Sequence, residues 1–94
     1  MTKIYIAGPM SGLVDFNFPA FHRMAATFRA KGFEVVNPAE INANCSADWF
    51  GCLRADIREL VTCDAIVMLS GWEKSKGAKL EKHIADQLGM EIYL

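Results

Sequence analysis

The chain has 94 residues, 52% of them hydrophobic and 22% charged, with a formal net charge of −1. That length holds one domain, residues 1–94, and excludes two; its modest core favours a homo-oligomer, a dimer or higher. The near-neutral balance, with no basic excess and no acidic run, excludes a nucleic-acid polymer as the expected partner.

Ile4-Tyr5-Ile6-Ala7 is a short β-branched and aromatic run closed by Gly8-Pro9, which predicts a strand and a turn. Four apolar residues are too few for a signal peptide or a membrane span, so a soluble, cytoplasmic protein with no membrane contact is expected. Phe18, Phe21, Met24, Ala25 and Phe28 recur at helical spacing, with Arg23, Arg29 and Lys31 off that stripe and Gly32 suited to the C-cap. Phe33-Glu34-Val35-Val36 predicts a second strand, stopped by Asn37-Pro38. Glu40 to Ser46 reads as polar and irregular. A helix is expected over 47–62, burying Trp49, Phe50, Leu53, Ile57, Leu60 and Val61. Ala65 to Leu69 is the most continuous apolar run and predicts a central strand buried on both faces. The polar loop Ser70 to Lys76 leads into a helix over 77–88, with Leu80, Ile84, Ala85 and Leu88 inside. Gly89 ends it, and Glu91 to Leu94 is the last strand. Cys45, Cys52 and Cys63 are odd in number and lack C-x-x-C spacing; they read as free thiols, not as a zinc site or a disulfide framework.

The order β-α-β-α-β-α-β implies a parallel sheet covered on both faces. The expected fold class is α/β, a flavodoxin- or Rossmann-like doubly wound sheet of four strands in the order 2-1-3-4, with three main helices. Winding reverses between strands one and three, and open parallel sheets bind ligands at that switch point. The loops Gly8 to Asn17 and Ser70 to Gly77 meet there. Neither a Walker pattern nor a G-x-G-x-x-G follows a strand, which disfavours P-loop and dinucleotide chemistry.

Glu81 lies early in the last helix, on the stripe of Ile84 and Leu88. It is either an inward carboxylate beside the pocket or a solvated charge complementing the helix dipole. Asp56 continues the stripe of Trp49, Leu53 and Leu60; it is either a second inward carboxylate or a surface partner of Arg54 or Arg58. Two inward carboxylates on neighbouring helices could act as nucleophile and acid/base partner. Gly8 to Gly12 could offer backbone N–H groups, and Ser11 a hydroxyl, to an anion, or form a plain turn. Trp72 could stack on a base or pack on a neighbouring subunit. Tyr5 reads as core, with a hydroxyl that needs a partner. His22 and His83 read as ordinary, and Asp64 as a helix-to-strand turn residue.

Together, Lys3-Ile4-Tyr5-Ile6-Ala7-Gly8-Pro9-Met10-Ser11-Gly12, Asp56 with Asp64 eight residues on, and Ser75-Lys76-Gly77-Ala78-Lys79-Leu80-Glu81 resemble the nucleoside 2-deoxyribosyltransferase superfamily, and more closely its small phage and bacterial branch. The resemblance covers nearly the whole chain. It implies N-glycosidic cleavage or transfer through a covalent glycosyl-glutamate, with Glu81 as nucleophile, Asp56 assisting and Tyr5 positioning the glutamate. It implies no metal and no cofactor, and a site often completed by a neighbouring subunit. Ser75 stands where transferases of this superfamily usually carry an aspartate. A serine there resembles the deoxynucleoside 5′-monophosphate N-glycosidases, although Ser11 stands where those carry an arginine. The pocket for a nucleoside or nucleotide is expected to be lined by Gly8, Pro9, Met10, Ser11, Ser70, Gly71, Trp72, Ser75 and Gly77. A hydrolase acting on 5′-monophosphates and a nucleotide binder without turnover are the alternative functions, followed by an interaction domain.

Overall fold

Four strands, β1 (Lys3–Ala7), β2 (Glu34–Val36), β3 (Ala65–Met68) and β4 (Glu91–Tyr93), form one parallel sheet in the order β2-β1-β3-β4. The computed structural model describes residues 2–42 and 48–94. The helices are α1 (Phe18–Ala30), α2 (Pro38–Ile41), α3 (Trp49–Leu60) and α4 (Lys76–Gln87). This is the doubly wound architecture that the alternating apolar pattern predicts. The expected helix start at Ala47, most of the 40–46 segment and Cys45 lie outside the described residues.

Period-two alternation along the central strands divides the core. Ile4 and Ile6 of β1, with Ala65 and Val67 of β3, face Phe21 and Ala25 of α1. Tyr5 and Ala7, with Ile66 and Met68, face Leu60 of α3 and Ala78 and Ala85 of α4. That parity sends the Tyr5 ring to the same side of the sheet as α3 and α4. Asp64 fastens the start of β3 to β1: its Oδ2 accepts from Lys3 N–H at 2.9 Å, and its own N–H donates to Lys3 O.

The long helices end as their glycines predict. Gly32 and Gly89 take positive φ, and the N–H groups of Phe33 and Met90 reach back to Phe28 O and Ala85 O. Both ends are Schellman motifs, and at the first the Phe28 and Phe33 rings close the cap edge to face at 5.5 Å.

Several expectations are corrected. Asn37-Pro38 does not simply stop β2. Asn37, buried, accepts from Ala39 N–H at 3.0 Å, and Pro38 occupies the first turn, so the pair begins α2 inside a stretch expected to be largely irregular. Trp49 and Phe50 of α3 and Val61 just beyond it are exposed, as are Leu80 of α4 and Leu88 just beyond that helix. The buried stripe of α4 is instead Ala78, Glu81 and Ala85, small residues that let the helix lie close on the sheet. Cys63 is a buried free thiol, whereas Cys52 is disulfide-bonded and departs from the free-thiol expectation. Among the described residues, no helix is long and apolar enough to cross a membrane.

Gly8 follows β1 where that strand meets the end of β3. A Cβ built on it would stand 2.7 Å from Leu69 Cβ, an atom fixed to the backbone. Gly8→Ala must therefore push the two strand ends apart. We expect it to lower stability by about 1–3 kcal/mol in denaturant melts, whereas an alanine at the open Gly12 meets no neighbouring atom and is strained only by its φ of +80°.

Candidate active site

A cavity of about 240 Å³ opens beyond the carboxyl end of β1. Its floor comes from Gly8, Met10 and Ser11 after β1, and from Ser75, Gly77, Ala78 and Glu81 at the start of α4. Asp56 and Leu53 of α3, Asn42 after α2, and Phe16, Phe18 and Phe21 supply other walls. A groove of about 320 Å³ shares Met10, Ser11, Trp49, Ser75 and Gly77 with it, and adds Pro9, Phe50, Lys74 and Lys76.

Glu81 and Asp56 both line the main cavity, and both are buried, at 5% and 8% exposure. The outward alternatives for the two residues are thereby removed. Glu81 is carried inward because Ser75 caps α4: Ser75 Oγ accepts from Ala78 N–H at 3.1 Å and fixes where the helix starts, and so its phase. Tyr5 reaches across from β1 and donates its hydroxyl to Glu81 Oε2 at 2.5 Å. Asn42 Nδ2 donates to Asp56 Oδ2 at 3.3 Å.

These groups titrate as a set. Burial pushes Glu81 up to about 8; the Tyr5 hydrogen bond pulls it down and the neighbouring Asp56 charge pushes it up. Burial raises Asp56 to about 6 against the Asn42 hydrogen bond. Tyr5 is held well above its ordinary value, first by burial and then by the two carboxylates, so it stays a donor.

Of the residues expected to line a pocket, Gly8, Met10, Ser11, Ser75 and Gly77 border the main cavity and Pro9 the adjoining groove. Ser70, Gly71 and Trp72 border neither among the described residues. The reason is a single 3₁₀ turn, Trp72–Lys74, that packs the indole against the core cluster to which Tyr5 and Leu60 belong, with the Lys82 ammonium 5.6 Å from its ring centre. The aromatic walls Phe16, Phe18 and Trp49, and Asn42, were not among the expected pocket residues. A readable signal for Asn42 was the Asn-Pro start of α2 four residues earlier. Phe16 gave none: it stands in a run of three residues, Asp15, Phe16 and Asn17, all at positive φ. Among the described residues, no three His, Cys, Asp or Glu side chains gather as metal ligands do.

Because burial raises Glu81, the folded protein keeps a proton that the unfolded chain releases near pH 4.5. Stability is therefore fully present below that pH and is lost as pH rises through about 8. Glu81→Gln still accepts from Tyr5 and has nothing to ionise. We expect it to exceed the parent at pH 8–9 by on the order of a few kcal/mol and to match it near pH 4, read by urea melts across pH. A gap that does not change with pH would contradict the buried, proton-binding Glu81.

Comparison with known proteins adds a fold and a family. A solved 2-desoxiribosyltransferase from Leishmania mexicana superposes with a TM-score of 0.75 and 23% identity, over 98% of this chain and 62% of that one. The shared feature is the fold, and the chain spans less than two thirds of that protein's length. No curated protein matches. The model of a domain of unknown function, DUF4406, matches residues 2–94, so the chain belongs to that family.

Proposed function

We propose that the chain breaks or exchanges the N-glycosidic bond of a deoxynucleoside or deoxynucleotide, through a covalent intermediate on Glu81. The observation that carries this reading is two buried carboxylates on one nucleoside-scale cavity, with a tyrosine hydroxyl on the inner one. The shared fold with a 2-desoxiribosyltransferase supports it.

Each residue has a role in that chemistry. Tyr5 occupies Glu81 Oε2 and leaves Oε1 for attack on C1′. The bond from C1′ to the base nitrogen breaks as the bond to Glu81 forms, and its electron pair leaves with the base. Asp56 supplies the proton that neutralises the departing base. Asp56, now ionised, then takes the proton of water or of the ring N–H of a second base as that oxygen or nitrogen attacks C1′, and the bond to Glu81 breaks and frees its carboxylate. Ser11 and Ser75 line the cavity, where their hydroxyls suit the sugar or an anionic substituent on it.

The protonation states favour one pH window. Attack needs Glu81 ionised, and leaving-group protonation needs Asp56 protonated. With Glu81 near 8 and Asp56 near 6, the reactive combination is a minor one that peaks between the two. We expect release of free base from a panel of deoxynucleosides and their 5′-monophosphates, with a bell-shaped rate profile having limbs near pH 6 and 8. Glu81→Ala should lower the rate by at least roughly 10³-fold, and Asp56→Asn by roughly 10²–10⁴-fold. Base release that survives Glu81→Ala would end the assignment.

A second reading is a nucleotide binder without turnover, favoured by the burial that pushes Glu81 up to about 8 and so keeps it largely protonated at neutral pH. Saturable nucleotide binding with no base released at any pH from 5 to 9 would select it.

A further inference from the structure

The groove beside the main cavity is its electrostatic opposite. Among the described residues, the main cavity is lined by the carboxyls of Glu81 and Asp56 and by no cation. The groove is lined by Lys74 and Lys76 and by no acidic side chain. Neither lysine makes an ion pair among the described residues. Two uncompensated cations on one concave surface attract an anion. The first residues of α4 line the same surface and add the positive end of that helix. The Lys76 ammonium stands 5.4 Å from the centre of the Trp49 ring, and Trp49 borders both spaces, so one of the two charges is kept near their junction.

The order of residues from one space to the other sets how far out the anion lies. Ser11 and Ser75 border both spaces, whereas Lys74 and Lys76 border the groove alone. A phosphate bonded directly to the sugar of a nucleoside in the main cavity meets the two serine hydroxyls first. The lysines lie beyond it, where the outer phosphates of a longer chain run. The groove has room for them: at about 320 Å³ it exceeds the cavity of about 240 Å³ assigned to base and sugar.

We propose that the groove is a polyphosphate subsite, and that the ligand is a deoxynucleoside 5′-diphosphate or triphosphate whose outer phosphates are held by Lys74 and Lys76. The inference rests on the glycosidic reading above for the ligand being a nucleoside. Lysine suits the task, because its ammonium is a point charge with three donors on a flexible stem and can follow a chain of more than one length. The opposed charges also set direction. Phosphates are drawn to the lysines and away from the two carboxyls, which leaves the glycosidic bond at Glu81 and Asp56.

The test is isothermal titration of the full chain carrying Glu81→Gln, which lacks the nucleophile, with a chelator present and at about 0.15 M ionic strength, where exposed charges are screened. The ligands are 2′-deoxyadenosine, 2′-deoxyguanosine, 2′-deoxycytidine and thymidine, each unphosphorylated and as its 5′-mono-, di- and triphosphate. For the base that binds best, the triphosphate should bind about tenfold or more tightly than the monophosphate. Adding Lys74→Met and Lys76→Met, which keep the aliphatic stems, should bring that ratio to within about twofold. A smaller ratio in the parent, or a ratio that survives the double substitution, would overturn the proposal while leaving the nucleoside reading intact. If none of these ligands binds, the nucleoside reading falls and this inference with it. Both lysines are exposed, so the double variant should fold; if it does not, the ratio measured with both lysines in place decides alone.

Discussion

A hydrogen bond between the middle of one strand and the second turn of a distant helix organises this protein. Tyr5 and Glu81 are 76 residues apart, yet their side chains meet at 2.5 Å inside the core. The contact requires Tyr5 to point to the α4 side of β1, α4 to start at Ser75, and alanines on either side of Glu81 to let the helix lie close. It also joins stability to chemistry. A carboxyl buried this deeply weakens the fold as it ionises, and the tyrosine hydroxyl lessens that penalty by giving the charge a donor.

The division of the cavity wall follows from the sheet order. The floor is formed where β1 and β3 end side by side, so the backbone of Gly8 and the opening turn of α4 are fixed by the sheet itself. The outer walls come from segments that only lean on it: the loop before α1, the short α2 and the first turn of α3. Tyr5 and Glu81 belong to the part that the sheet fixes, and Asp56 to the wall that α3 supplies. Asn42 and the aromatic side chains sit on the attached part.

Strands, sheet order and the three long helices were legible because apolar period and glycine position agree with each other along most of the chain. The inward turn of Glu81 and Asp56 was legible as one of two alternatives, because helical spacing gives a stripe but not its centre. On α4 the stripe centres on Ala78, Glu81 and Ala85, and the larger Leu80 and Leu88 stand out in solvent; side-chain size misleads where a helix packs tightly. The short α2 was masked by treating Pro38 as a stop when it is also a favoured first helical residue. The place of Trp72 depended on a three-residue turn that composition does not encode. The pairing of Asn42 with Asp56 joins residues 14 apart through tertiary structure alone.

Gly8 gives the pocket a fixed point. Its missing side chain lets the end of β1 lie against Leu69, so the two strand ends cannot spread without losing contact. The depth of the site is therefore a constant of the fold, set by the bare backbone of Gly8 against the Leu69 side chain. Its width is set elsewhere, by wall side chains such as Phe16, Asn42 and Trp49. On a scaffold arranged this way the side chains of the cavity wall can change while the distance from Tyr5 to Glu81 stays as it is.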